Sequence, residues 1–234
     1  MIEYNLKRRL HYIPGGAIRA EMGMWPAGAN WWEPTTGSFT CVAAYQAKGA
    51  ASLAASYSNL ANPGTYDLTL GTAPAWNSTD GWQFNGATNN RYLRTGVTWG
   101  ASTWSAIIRY TSAVSQWPFG ADAGAASNRV GILAYNLGTD TRWANSNEVS
   151  KAYAPTGGTL GFADRKRYAD GVYQTSGDIA AAGTLPAVEI YIGGLNRANS
   201  MIAAFTGNIQ AIAFYSTTLD ATQMGEVHTA MAAL

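Results

Sequence analysis

From about residue 38 onward, hydrophobic and polar residues alternate in short runs separated by Gly, Asn, Asp and Pro. The clearest run is residues 103–110, in which Ala106, Ile108 and Tyr110 fall on one face with Trp104. Alternation with a period of two predicts strands with one face in a core. Runs of this length, punctuated by turn residues, predict an antiparallel sandwich or barrel. The other predicted strands are residues 82–85, 91–95, 129–135, 188–192 and 208–215.

Local motifs add a hairpin and one helix to this pattern. Asp170-Gly171 lies between strand-like flanks, and this dipeptide favours a two-residue turn in which both residues have positive φ. Asp220 and Gln223 have the spacing of a capping box at the start of a helix. The predicted helix carries an apolar stripe formed by Met224, Val227, Met231 and Leu234. The fold class predicted is all-β: a two-sheet jelly-roll sandwich with a short C-terminal helix and an irregular N-terminal arm.

Composition narrows the class of protein. Hydrophobic residues make up 47% of the 234 residues and charged residues only 12%, which disordered chains do not show. The net charge is +1 and the dense basic groups, residues 7–9 and 165–167, are short, so we expect solvated charges and no nucleic-acid partner. The single cysteine, Cys41, excludes an internal disulfide and is predicted to be a small buried residue of a strand.

The first 35 residues differ from the rest, and we predict an arm over residues 1–35 before a sandwich domain over residues 36–234. Gly and Pro interrupt this arm, yet it contains Trp25, Trp31 and Trp32, which are costly to leave in water. Either the arm folds back onto its own sandwich or it docks onto a neighbouring subunit. The tryptophans are therefore candidate assembly residues, and virion subunits or a second copy of the chain are candidate partners.

Several segments together resemble the concanavalin A-like lectin/glucanase superfamily in its laminin-G-like form, over about residues 40–234. The segments that carry the resemblance are 81–86 (GWQFNG), 91–96 (RYLRTG), 167–172 (RYADGV), 192–194 (IGG), 205–215 (FTGNIQAIAFY) and 218–224 (TLDATQM). The resemblance implies two antiparallel sheets. Members include glycan-binding modules, adhesive domains, glycoside hydrolases and phage structural proteins, so it implies fold more than function.

The residues give little sign of catalysis. Glycosidases need two carboxylates across a cleft, and the Glu-x-Asp-x-Glu pattern of the superfamily's hydrolases is absent, since Glu189 is the only carboxylate of its strand. The two histidines, His11 and His228, lie in the arm and on the predicted helix and are interpreted as structural. No catalytic residue, metal ligand set or cofactor is predicted. Calcium stays open as an alternative, with loop ligands among Asp122, Asp140, Asn145 and Asn147.

Aromatic and amide side chains in mid-chain give a candidate binding surface. Saccharides are held by aromatic faces under the ring and by polar groups on the hydroxyls. The candidate glycan- or partner-binding residues are Trp117, Tyr135, Arg142, Trp143 and Asn145. The polar loop 196–200 is a second, weaker candidate.

These observations predict a non-enzymatic, lectin-like binding module, a component of a phage tail or capsid surface that binds glycans or a cell-surface receptor. The alternatives are a purely structural decoration protein and, less favoured, a glycoside hydrolase. The first nine residues contain no apolar signal core and no apolar stretch is long enough to span a bilayer. We therefore expect synthesis in the cytoplasm, no membrane insertion, and a virion or extracellular location reached without a recognisable signal peptide.

Overall fold

Two β-sheets packed face to face form the body of the protein in the computed structural model. The structure describes residues 30–86, 90–124, 128–136, 140–152, 155–175, 177–180 and 183–234. Contacts divide the chain into residues 1–30 and 31–234, and the second unit contains both sheets. Its elements, in chain order, are β1 (Cys41–Gln46), a 3-10 turn (Ala55–Tyr57), β2 (Thr69–Thr72), β3 (Ala75–Asn77), β4 (Gly81–Asn85), β5 (Tyr92–Thr98), β6 (Ser105–Ser115), β7 (Phe119–Asp122), β8 (Arg129–Asn136), β9 (Asp140–Asn145), β10 (Glu148–Lys151), β11 (Gly158–Ala163), β12 (Lys166–Ala169), β13 (Val172–Tyr173), β14 (Glu189–Ile192), β15 (Leu195–Arg197), β16 (Ser200–Ile202), β17 (Thr206–Tyr215) and α1 (Ala221–Ala232).

The first sheet, sheet A, has the strand order β13-β12-β11-β6-β17-β4-β3. Its longest central pair is β6 with β17, and β1 pairs with the second half of β17 beside β4. The second, sheet B, has the order β10-β9-β8-β7-β14-β5-β2. The hairpin β15–β16 joins sheet B through a short parallel pairing of β15 with β7. All other pairings among the described strands are antiparallel, so the predicted two-sheet antiparallel sandwich is confirmed.

The core lies between the sheets and follows the predicted alternation. Ala106, Ile108 and Tyr110 of β6 are buried in it, and Trp104 packs against it. On sheet B, Leu93 and Val97 of β5 face the same core. Burial of large apolar side chains from both sheets is the main stabilising contribution in such a sandwich.

The hairpin and the helix form where the sequence predicts them. Asp170 and Gly171 connect β12 and β13 with φ values of 46° and 74°. The capping box is present: the Gln223 amide donates to Asp220 Oδ1 at 2.9 Å, and the Asp220 amide donates to Gln223 Oε1 at 2.9 Å. Helix α1 lies close against sheet A because Gly161 has no side chain; a Cβ there would be 2.5 Å from Met224 Cε. In the apolar stripe, Met224, Val227 and Met231 are buried.

Two expectations about polar and basic residues are modified by the structure. Arg165 and Lys166 are exposed as predicted, but Arg167 is buried, with its guanidinium 5.1 Å from the ring centroid of Trp143. Its Nε donates to the Gly177 carbonyl at 2.7 Å, which compensates part of its lost hydration. Cys41 is partly buried in β1, and burial raises the pKa of its thiol, as expected for an unreactive thiol.

Residues 31–35, which precede the first strand, pack against the sandwich of the same chain. Trp31 and Trp32 are both buried, and the Tyr215 hydroxyl donates to the Trp32 carbonyl at 2.8 Å. Thr35 donates from its amide and hydroxyl to Glu226 of α1 at 2.7 and 2.8 Å. Trp31 and Trp32 therefore pack against their own chain, which is the first of the two alternatives for the tryptophans. Trp25 lies outside the described residues. Among the described residues, no helix has the length and hydropathy to cross a membrane.

Candidate functional site

A cleft of about 620 Å³ lies on the outer face of sheet B, where β2, β5 and β14 meet the loops before β2 and β14 and the turn of the β15–β16 hairpin. Its volume is within the range of small-molecule binding sites. It is lined by Tyr66, Asp67, Thr69, Arg94, Thr95, Gly96, Ala187, Val188, Glu189 and Asn199. Strand alternation explains the position of the polar groups: on β5, Leu93 and Val97 point into the core, so Arg94 points outward.

An ion pair forms the floor of the cleft. Glu189 Oε1 accepts from Arg94 Nη2 at 2.6 Å and from Arg94 Nε at 2.8 Å. The second carboxylate oxygen accepts from the Gly96 amide at 2.7 Å. The Glu189 side chain is 12% exposed, whereas that of Arg94 is 49% exposed. The hydrogen bond to Glu189 is the main cause that raises the pKa of Arg94, and the pair links β14 to β5.

The loop before β2 supplies an exposed aromatic ring. Tyr66 is 44% exposed and has a φ of 60°, which is unusual for a residue with a bulky side chain. Its carbonyl accepts from the Tyr45 hydroxyl at 2.6 Å. Asp67 fixes the same loop, because its Oδ1 accepts from the amides of Asn59 at 2.7 Å and of Gly64 at 3.2 Å. Residues held in sparsely populated backbone conformations cluster at binding sites, so this aromatic is a candidate ligand platform.

The turn of the β15–β16 hairpin forms the opposite side. Asn199 is exposed and has a φ of 66°. The hairpin is tied to the ion pair, since Asn196 Nδ2 donates to the Glu189 carbonyl at 2.7 Å. Below it, the rings of Tyr92 and Tyr191 stack with centroids 4.6 Å apart. The weaker candidate loop 196–200 thus contributes one lining residue to the cleft.

The stronger candidate surface from the sequence is not brought together. Arg142 and Trp143 are neighbours on β9, so they point to opposite faces of the sheet. Trp143 is fully buried in the core, and Asn145 is also buried, with Nδ2 donating to the carbonyls of Ser102 and Asp164 at 2.6 Å each. Arg142 alone reaches the outer face. Strand alternation places adjacent residues on opposite faces, so Arg142 cannot share a surface with Trp143.

Trp117 and Tyr135 complete that prediction. Trp117 is buried in a small apolar cluster with Leu133 and Leu195 beneath the β15–β16 hairpin. The guanidinium of Arg129 is 5.8 Å from its ring centroid. Trp117 therefore has no face free for a ligand. The side chain of Tyr135 lies outside the described residues.

The candidate calcium ligands Asp122 and Asp140 belong to a row of ion pairs across sheet B. Asp122 is fully buried, and its Oδ2 lies 2.5 Å from Arg197 Nη2 and 3.2 Å from Arg129 Nε. Arg129 continues to Glu148 at 2.9 Å, and Glu148 to Arg142 at 2.9 Å. Asp140 closes the row on Arg142 Nε at 3.0 Å. The side-chain amide of Asn145 already donates to two interior carbonyls. Among the described residues, no three His, Cys, Asp or Glu side chains are grouped for a metal.

The cleft contains two carboxylates, the groups that glycoside hydrolysis requires. The sequence offered no carboxylate pair, yet Asp67 and Glu189, 122 positions apart, line one cleft. Neither stands near the other in the chain, so only the register of β2 and β14 against β5 brings them together. His228 is remote from the cleft, half-buried on α1 against Gly171, and His11 lies outside the described residues.

Comparisons with known proteins return sialidases. The chain has a TM-score of 0.55 with Trypanosoma rangeli sialidase at 13% identity, covering 82% of this chain and 33% of that one. A mutant of that enzyme displaying trans-sialidase activity gives 0.54 at 15% identity, over 82% and 33%. Its complex with the inhibitor DANA gives 0.53 at 16% identity, over 88% and 34%. The chain thus spans about a third of these structures. No family model and no curated protein matches the sequence.

These comparisons overturn two predictions. The predicted non-enzymatic virion module, with a decoration protein as its alternative, is wrong: the similar solved structures are enzymes that act on glycosides, and none of those named above is viral. The prediction that the protein is no enzyme is overturned with it. It rested on a missing carboxylate pair, and the cleft now contains two carboxylates. At these identities the similarity itself shows the fold, a β-sandwich of the kind found in sialidases.

Proposed function

We propose that this chain is the carbohydrate-recognising β-sandwich of a glycoside-hydrolase type protein, of the concanavalin A-like, laminin-G-like kind, and that the cleft on sheet B holds the saccharide. The observation that carries the proposal is the exposed ring of Tyr66 beside a fixed set of polar groups. An aromatic face takes the apolar side of a sugar ring, and Arg94, Asp67, Thr69 and Asn199 offer hydrogen bonds to its hydroxyls.

The cleft is preorganised for this role. Tyr66 is held by the Tyr45 hydroxyl, and Asp67 by two backbone amides. The Arg94 side chain is fixed by Glu189 before any ligand arrives. Groups that are ordered in advance lose little conformational entropy on binding, which favours affinity.

Substitution of Tyr66 tests the site. Titration of the full chain with a panel of oligosaccharides, followed by NMR, should show shifts of the cleft amides of Gly96 and Asn199. Tyr66→Ala should weaken binding at least tenfold, by roughly 1.4 kcal/mol, while Tyr66→Phe keeps it. Val172→Ala, which removes an exposed side chain from a different sheet, is the matched control. Equal affinity of Tyr66→Ala and the parent chain would rule the cleft out.

Hydrolysis in the same cleft is a second candidate, favoured by the presence of Asp67 and Glu189 together. Both carboxylates accept hydrogen bonds from backbone amides, which favours the ionised form that a general base or nucleophile needs. The ion pair with Arg94 weakens Glu189 in that role, so Asp67 is the better candidate of the two. Fluorogenic glycosides incubated with the full chain report turnover. Turnover that disappears in both Asp67→Asn and Glu189→Gln would assign catalysis to the cleft, and turnover that survives both would place it elsewhere.

A further inference from the structure

The charge of the cleft indicates which saccharides it accepts. Its lining contains the carboxylates of Asp67 and Glu189 and the guanidinium of Arg94, a formal balance of −1 among the described lining residues. A site with a negative balance disfavours an anionic ligand, and the effect is stronger where the groups are partly desolvated.

The one cation among the described lining residues, Arg94, is already paired. Arg94 directs both Nε and Nη2 to the same oxygen of Glu189, at 2.8 and 2.6 Å. A ligand carboxylate that took over these donors would leave Glu189, which is only 12% exposed, without its counter-charge. Removing the counter-charge of a mostly buried carboxylate is unfavourable, so Arg94, although half-exposed, stays with Glu189 and acts as a neutralised hydrogen-bond donor.

Asp67 also disfavours an anionic ligand. Its oxygens accept from the amides of Asn59 and Gly64, contacts that hold the carboxylate beside Tyr66 at the cleft. The lone pairs that these amides leave unused suit hydroxyl or ammonium donors, and they repel a carboxylate.

Resting on the proposed function, we infer that the cleft selects neutral saccharides and rejects those that carry a carboxylate. This assigns to the site a ligand class different from the sialic acid with which one similar structure is described. Tyr66 supplies the contact with the ring, and the Arg94–Glu189 pair together with Asp67 supplies the discrimination.

Matched probes test the inference on the full chain. Lactose and 3′-sialyllactose differ by one acidic sugar, and we expect lactose to bind about tenfold more tightly at low salt. Raising the ionic strength should narrow the difference, because screening weakens the repulsion. Glu189→Gln, which brings the lining balance to zero and frees Arg94, should raise the affinity for 3′-sialyllactose relative to that for lactose about fivefold.

Asp67→Asn serves as the second variant, since it removes one charge without touching the Arg94 pair; thermal unfolding confirms that both variants are folded. This variant too should raise the affinity for 3′-sialyllactose. Tighter binding of 3′-sialyllactose than lactose by the parent chain, lost in Arg94→Gln, would overturn the inference and keep the proposed function. Failure of every saccharide in the panel to bind would overturn the proposed function, and this inference with it.

Discussion

The Tyr45 hydroxyl, at the end of a side chain fully buried in the core, donates a 2.6 Å hydrogen bond to the carbonyl of Tyr66, the exposed aromatic residue of the cleft. Burial raises the pKa of Tyr45, so the hydroxyl stays protonated and remains a donor. The core of the sandwich thus fixes the backbone of its candidate ligand platform directly.

Tyr45→Phe should therefore lower both stability and saccharide affinity. Loss of the bond leaves the Tyr66 carbonyl without its donor and should cost about 1 kcal/mol in the free energy of unfolding by urea. Tyr57→Phe is the matched control, because the buried Tyr57 hydroxyl has no hydrogen-bond partner among the described residues. We expect that substitution to be neutral or stabilising. If Tyr45→Phe leaves affinity untouched, the bond does not organise the cleft.

Asp122 should be among the polar residues most sensitive to substitution. It is fully buried between Arg129 and Arg197, and Asp122→Asn would leave Arg197 without the counter-charge seen here and Arg129 with Glu148 alone. We expect a loss of about 3 kcal/mol in urea unfolding. Asp178→Asn, at an exposed residue bonded to the Tyr173 hydroxyl, should cost less than about 1 kcal/mol. Similar losses for both would show that the buried ion pairs add no special stability.

The helix cap offers a test with a closely matched control. Asp220→Ala removes the acceptor of the Gln223 amide and should destabilise the protein by about 1 kcal/mol, measured by thermal or urea unfolding. Asp220→Asn retains a side-chain acceptor and should lose only a small part of that. Equal losses would indicate that the charge of Asp220, rather than the cap, stabilises α1.

His228 should make stability depend on pH. Burial lowers its pKa; the charge of Asp170 opposes this effect in part, and the charge of Arg109 adds a smaller lowering. The folded protein then binds fewer protons than the unfolded chain between the folded pKa and the unfolded value of about 6.5. The neutral imidazole of His228 therefore makes its full contribution to stability above the unfolded pKa, and this contribution is lost as the pH falls through the folded pKa.

Urea unfolding between pH 7.5 and 5 should therefore show a falling free energy of unfolding that is shallower in His228→Gln. His11 is retained in both proteins, so it cancels in the comparison. Identical slopes in the two proteins would show that the protonation of His228 is not linked to folding.

The sequence predicted the features that depend on neighbours in the chain. The Asp170-Gly171 turn and the Asp220–Gln223 box are decided within three residues, and both formed as expected. The fold class followed from alternation along single strands. The cleft did not, because Arg94 and Glu189 are 95 positions apart and meet only through the register of β5 with β14, which includes a bulge. Trp143 and Asn145 do not share a surface with Arg142, because residues one and three positions apart on a strand point to opposite faces.

Because Trp31 and Trp32 are buried, they determine where the chain can be truncated at its N-terminal side. A shortened protein starting at residue 36 would lose both indoles, and with them the carbonyl that accepts from the buried Tyr215 hydroxyl and the Thr35 contacts to Glu226. An unpaired buried hydroxyl and a bare apolar patch promote aggregation. A fusion partner or affinity tag is therefore best joined no later than Asn30, where the chain is exposed. Both indoles are then retained in the shortened protein.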